Sequence, residues 1–249
     1  MSTSRNALRR LTATEAKLFL RDPVTAFFSL AFPVVLMGIL GSIPALRRTS
    51  AALHGLSTID LYAPIMAVFT LLMLAMNGLP PVLAGYREKG VLRRLSASPV
   101  RPVLLLGALL PLYLAVAVVS LLLVGVAGVL CGVSLPKQVA GFVVAFAFSA
   151  AALFALGLLV AALAPSAKAG NAIGATLFFP LMFFSGVWIP RDMMPGMLRR
   201  IGDFTPSGAA VQSVQDAWTG HFPHGVDLVT LAVFALVAGG AAAKLFRWE

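Results

Sequence analysis

The run Tyr86-Arg87-Glu88-Lys89-Gly90-Val91-Leu92-Arg93-Arg94-Leu95-Ser96-Ala97-Ser98-Pro99 is the most densely charged stretch of the sequence. Its residue types suit recognition rather than catalysis. Val91, Leu92 and Leu95 fall at i, i+1 and i+4, one face of a helix, and Arg87, Glu88, Lys89, Arg93 and Arg94 take the other directions. The pattern predicts a short surface helix over 86–98, closed by Pro99 and Pro102 because proline cannot continue a helix. Two long apolar segments flank it, and so many charges cannot lie in hydrocarbon. An apolar stripe inside a charged rim offers a soluble partner a place to dock.

Other chemistry is sparse. Gly85 and Gly90 have the glycine spacing of a phosphate-binding loop, but Val91-Leu92 stand where Lys-Ser/Thr is required. There is no Gly-x-Ser-x-Gly elbow and no His-Glu-x-x-His pair. Met193, Met194 and Met197 read as packing rather than as a soft-metal site, which needs more than one turn of thioethers. His221 and His224 flank Pro223, which works against a helical ligand pair, and His54 is a lone loop histidine. The expectation is no catalytic residue, no metal and no cofactor held by this chain. Cys131, the only cysteine, excludes an internal disulfide.

The elements that must position the charged run are membrane spans. Of 249 residues, 59% are hydrophobic and 11% charged, with mean hydropathy +0.94, whereas a soluble domain is about 25% charged. Crossing the hydrocarbon takes about 20 apolar residues. The uncharged gaps give six spans, near Val24–Ile43, Leu61–Leu83, Val103–Leu130, Val139–Leu163, Asn171–Trp188 and Leu228–Ala243. Lys and Arg concentrate on the side that shares the N-terminus. Thirteen of them lie there, including Arg9, Arg10, Lys17, Arg21, Arg87, Lys89, Arg93 and Arg94, against six on the other side. By the positive-inside rule both termini are cytoplasmic, and this placement accounts for the net charge of +10 without nucleic acid. No acid lies deep in a span, where a proton-coupled carrier or intramembrane protease would keep one.

Residues 1–23 read as an interfacial segment. Leu8, Leu11, Leu18 and Phe19 share a face opposite Arg9, Arg10 and Lys17, and Thr12 with Glu15 fits a capping box that starts a helix at Thr12. In span 2, Pro80-Pro81 should kink or break the helix beside Asn77, and Gly85 reads as its C-terminal stop. Phe178, Phe179, Phe183 and Phe184 line span 5. Asn77, Phe179 and Phe183 are the candidates for a substrate path. Residues 189–225 are too polar to span and carry two amphipathic stripes, Met193-Met197-Ile201 and Val211-Val214-Trp218, which fit short helices at the outer interface.

The charged run also resembles the Glu-Arg-Glu-x-Gly-Thr-Leu-x-x-Leu-x-x-Ser/Thr-Pro signature of ABC-2 type transporter permeases, with Tyr86 and Val91 replacing a Glu and the Thr. Arg21-Asp22-Pro23 resembles the family's entry to its first span. Phe184-Ser185-Gly186-Val187-Trp188-Ile189-Pro190, Met194-Pro195 and Thr205-Pro206 resemble the segment after its fifth. The nearest likeness is to drug-resistance exporters. The resemblance implies an all-α polytopic membrane protein of six transmembrane helices over 24–249. It also implies a cytoplasmic coupling helix at 86–98 and re-entrant amphipathic helices within 189–225. It further implies the permease of a bacterial exporter of hydrophobic drugs or lipid-like compounds. Two copies of a separate ATPase would bind the ATP and Mg and press on Tyr86, Arg87, Glu88, Lys89, Gly90, Val91, Leu92, Arg93, Arg94 and Leu95, with Arg9, Arg10, Lys17 and Arg21 alongside. A second permease copy, identical or related, would complete the pump in contact with membrane lipids. The rival reading is an ATP-independent integral membrane protein: an enzyme, an assembly factor or an ion-coupled carrier.

Overall fold

A computed structural model describes residues 2–48, 57–96, 103–188 and 194–246. These residues fold into helices α1 Ser2–Leu20, α2 Pro23–Ser42, α3 Thr58–Glu88, α4 Val91–Ser96 and α5 Val103–Leu130. There follow α6 Val139–Leu163, α7 Ala167–Phe184, α8 Gly196–Asp203, α9 Pro206–Thr219 and α10 Gly225–Leu245. Six of them, α2, α3, α5, α6, α7 and α10, are long and apolar enough to cross a membrane. They fall where the uncharged gaps of the sequence place them.

The bundle is arranged around α3, which is buried along nearly its whole length, whereas α2, α7 and α10 bury only their inward faces. Apolar side chains such as Leu122, Val126, Val229 and Leu236 cover the outside. That pattern suits hydrocarbon as the solvent. The two ends of the bundle are distinguished by contacts. One end, called here the Arg87 face, gathers α1 and the ends of α3, α6 and α7. At the other, the Trp218 face, the Trp218 indole donates to Ser134 O at 2.9 Å, and Gln138 N donates to Ala217 O at 3.0 Å.

α3 starts in a capping box. Ser57 Oγ accepts from Asp60 N, and Asp60 Oδ2 accepts from Ser57 N at 3.0 Å. Its Pro80-Pro81 pair does not break it. A π-helical turn over Leu74–Gly78 precedes the prolines, and the helix then runs on to Glu88. The backbone next to this turn is covered by glycines of neighbouring helices. A Cβ at Gly157 would overlap Ala75 O, one at Gly174 would overlap Met76 O, and one at Gly170 would lie 2.9 Å from Pro80 O. Side-chain-free positions on α6 and α7 therefore let two helices close onto the irregular stretch of α3. α2 repeats the device, with a π turn over Phe27–Ala31 ahead of Pro33.

Two hydroxyls and a backbone carbonyl join α2, α3 and α5 within the bundle. Thr70 Oγ1 lies 3.0 Å from Ser120 Oγ, 3.2 Å from Met66 O and 3.5 Å from Ser29 O. Ser29, Thr70 and Ser120 are all buried, so their hydroxyls need partners within the protein, and that of Ser29 donates to Thr25 O on its own helix.

Two expected boundaries move. Thr12 does not start a helix: α1 begins at Ser2, and the Thr12 hydroxyl donates back to Leu8 O at 3.0 Å, the mid-helix alternative open to a threonine. Gly85 does not end span 2. It is buried inside α3, where a Cβ would come within 3.3 Å of Ala167 Cβ, and the helix stops at Lys89-Gly90. Of the two helices read at an outer interface, α8 carries exposed Met197 and Ile201. α9 instead buries Val211, Val214 and Trp218 among α3, α6 and α10. The same stripe spacing serves a surface or a bundle interior, and only the neighbouring helices decide between them.

Candidate functional site

The charged run forms two pieces on the Arg87 face. α3 carries Tyr86, Arg87 and Glu88 on its last turn. Lys89 and Gly90 make the turn, with Gly90 at φ +65°, a left-handed conformation that a Cβ disfavours. α4 then starts at Val91, and Arg94 Nη2 donates back to Lys89 O at 3.0 Å. Residues 97–98, which complete the expected helix, lie outside the described residues, as does the side chain of Leu95.

Each residue at the end of α3 is tied to a different helix. The Tyr86 hydroxyl donates to both carboxylate oxygens of Glu15 on α1, at 2.8 and 2.9 Å. Glu15 is only 6% exposed. Burial pushes its carboxyl above the usual range, and the Tyr86 hydrogen bond opposes that rise by stabilising the ionised form. The Arg87 guanidinium donates to Ala162 O at 3.3 Å and to Ala164 O, at the C-terminal end of α6. Glu88 Oε2 accepts from Ala167 N at 2.9 Å, in the first turn of α7. A cation thus meets the carbonyl end of one helix and an anion the amide end of the next, as the two helix dipoles favour.

Three residues of the run have their contacts within the chain. Arg87 and Glu88, expected to pair with a partner at the rim, make their bonds inside the chain. Leu92, expected to fill a partner's groove, is 0% exposed and belongs to the core. Its place on a turn folded back beneath α3 turns it inward. Lys89, Arg93 and Arg94 are exposed and Val91 is half-buried. Arg9, Arg10 and Lys17 on α1 and Arg21 just after it are all exposed, while Leu8, Leu11, Thr12, Glu15 and Phe19 form the inward stripe of α1. Leu18, expected on that stripe, is exposed. The Phe19 and Tyr113 rings, 6.0 Å apart, seat α1 on α5.

The path candidates are scattered. Asn77 is half-buried, and its amide donates to Met73 Sδ at 3.4 Å. Phe179 is 60% exposed and meets Phe178 edge-on, and Phe183 meets Phe184. No hydrogen bond or ring contact among the described residues joins the three. Sequence reasoning missed a chain of ring contacts, Phe28–Phe32–Phe69–Phe178–Phe179, that runs from α2 through α3 to α7. It also missed an apolar groove of about 680 Å³ along α5 and α6, lined by Leu114, Val118, Phe146 and Phe154 among others. Tyr86, read as a coupling residue and as a departure from the signature, ties the end of α3 to α1 through Glu15. A buried acid on α1 at helical spacing from Leu8 and Phe19 was the available signal.

Met194 is buried and Met197 exposed, and Met193 lies outside the described residues. His221 Nδ1 lies 3.2 Å from Thr219 Oγ1, while His224 Nδ1 lies 2.6 Å from Asp216 Oδ2.

Six apolar helices of membrane-spanning length, with ionic side chains gathered at their ends, define an integral membrane protein. The sequence profile of the ABC-2 type transporter family matches residues 6–217, and the chain belongs to that family. It is the membrane component of an ABC-type transporter, whose family works with an ABC ATPase. No curated protein matches the chain.

Proposed function

We propose that this chain is the permease of a bacterial exporter in the cytoplasmic membrane, with the Arg87 face inside the cell and the Trp218 face outside. Two copies of a separate ATPase subunit bind the ATP and Mg and drive it, and a second permease copy completes the pump. The observation that carries this reading is the stapling of the charged run. Through Tyr86, Arg87 and Glu88, one surface element is fixed to α1, α6 and α7 as well as to its own α3. A push on the Lys89–Ser96 segment therefore reaches α3 and, through these three side chains, α1, α6 and α7. Residues 86–96 act as the coupling element, α9 re-enters the bundle beneath the outer face, and the Pro80-Pro81 region moves with α3 as one body.

The exposed cations Lys89, Arg93, Arg94, Arg9, Arg10, Lys17 and Arg21 suit an acidic rim on the ATPase. The cargo is a hydrophobic drug or lipid-like compound. The apolar groove along α5 and α6 supports this, since about 680 Å³ is within the range of sites for drug-sized ligands. Asn77, Phe179 and Phe183 remain the path candidates.

Charge reversal at both Lys89 and Arg94 tests the docking face. The double variant should reach the membrane normally but recover much less ATPase subunit on co-purification, with transport reduced in parallel. Recovery at the wild-type level would remove this face as the ATPase contact.

A further inference from the structure

Two aspartates on the Trp218 face are buried where a surface loop would ordinarily hydrate them. Asp216 lies on the last turn of α9, and Asp227 on the first turn of α10. Each is only 7% exposed. Between them the chain turns at Gly220 and reaches His224, whose backbone N–H lies 3.3 Å from Asp216 Oδ2. One imidazole nitrogen and one oxygen from each carboxylate lie within 4.8 Å of one another. We propose that Asp216, His224 and Asp227 form a binding site for a divalent transition metal of the zinc class.

The chemistry of the donors favours this ligand. Desolvated carboxylates need compensating charge or hydrogen bonds. Among the described residues, the side chains that hydrogen-bond the Asp216 carboxylate are the neutral Gln212 amide, 3.0 Å from Oδ1, and the His224 imidazole, 2.6 Å from Oδ2. Neither brings the permanent cation that a lysine or arginine would. Two carboxylates this close repel each other, and a doubly charged ion between them lowers that repulsion.

The set is ordered as metal sites are. The Gln212 amide donates to Asp216 Oδ1, the oxygen that His224 does not meet, and so orients the carboxylate, a second layer of support typical of bound ions. His224 is exposed, which leaves an entry route and room for water to complete the coordination. Two oxygens and one imidazole nitrogen suit Zn²⁺. Calcium needs six to eight oxygens, and cuprous ion prefers thiolates and thioethers. The ion would join α9 to α10 across residues 220–224, fixing a buried helix of the bundle to the last membrane span. The site owes nothing to the transport reading and stands or falls separately from it.

The test uses the full chain, purified in nanodiscs and stripped with a chelator, with Zn²⁺ as the probe in calorimetric titration. The expected result is one equivalent per chain with Kd about 1 µM or tighter, together with a rise in the thermal midpoint. Asp227→Asn and His224→Gln should each weaken binding by about tenfold or more, and His221→Gln should leave it unchanged. If Asp227→Asn does not fold, His224→Gln, at an exposed position, carries the comparison alone. Binding that is not stoichiometric, that is equal in wild type and His224→Gln, or that is lost equally in His221→Gln overturns the proposal.

Discussion

Replacing Arg87 separates an internal staple from a docking charge. In the structure its guanidinium spans two carbonyls at the end of α6, Ala162 O and Ala164 O. A hydrogen bond involving a charged group contributes about 1.5–3 kcal/mol. Arg87 is half-exposed, so solvent screening places each bond at or below the low end, and the pair contributes about 2–3 kcal/mol. Arg87→Ala should therefore lower the thermal midpoint by about 5–10 °C, on the scaling for a domain of this length. Arg87→Lys keeps the charge near the helix end but loses the fork, and should recover roughly half of the loss. The assay is thermal unfolding of the permease alone, in detergent without any ATPase, followed by size exclusion. If Arg87→Ala leaves that midpoint unchanged while ATPase recovery collapses, Arg87 faces the partner and the staple is wrong.

Tyr86→Phe should destabilise the chain by about 1–3 kcal/mol, because it leaves the buried Glu15 carboxylate without its donor. Adding Glu15→Gln should restore most of that loss in a double-mutant cycle on thermal midpoints. Glu15 holds its proton more tightly folded than unfolded, so the folded chain binds more protons from the ordinary carboxylate value up to the raised one. Stability must then fall as pH rises through that window. The fall should be absent in Glu15→Gln, and parallel melting profiles from about pH 4 to about 8 would contradict it. Gly174→Ala drives a Cβ into the Met76 backbone carbonyl, which cannot turn aside, and should cost about 1–3 kcal/mol in the same melt. Gly240→Ala meets open space and should be neutral or slightly stabilising. Leu92→Asp should fail to give monodisperse protein by fluorescence size exclusion, because it buries a charge in the core. A well-folded variant that has lost only its ATPase would return Leu92 to the docking face.

The sequence by itself determined the six spans. Hydrocarbon tolerates neither charge nor unpaired backbone, so uncharged stretches of about 20 residues have few other fates. It also located the charged run between spans 2 and 3 and the signature that the family match bears out. Tertiary structure alone decided which side chains of that run are spent inside the protein. Leu92 and Arg93 are adjacent in an apolar-and-charged pattern that reads equally well as a partner-facing stripe, yet one is in the core and the other exposed. The partners of Tyr86, Arg87 and Glu88 lie more than 70 residues away in sequence, on three different helices. Those contacts depend on the rotation and end-to-end register of packed helices. Local propensity does not encode these, and a few glycines on α6 and α7 set them by allowing backbones to touch.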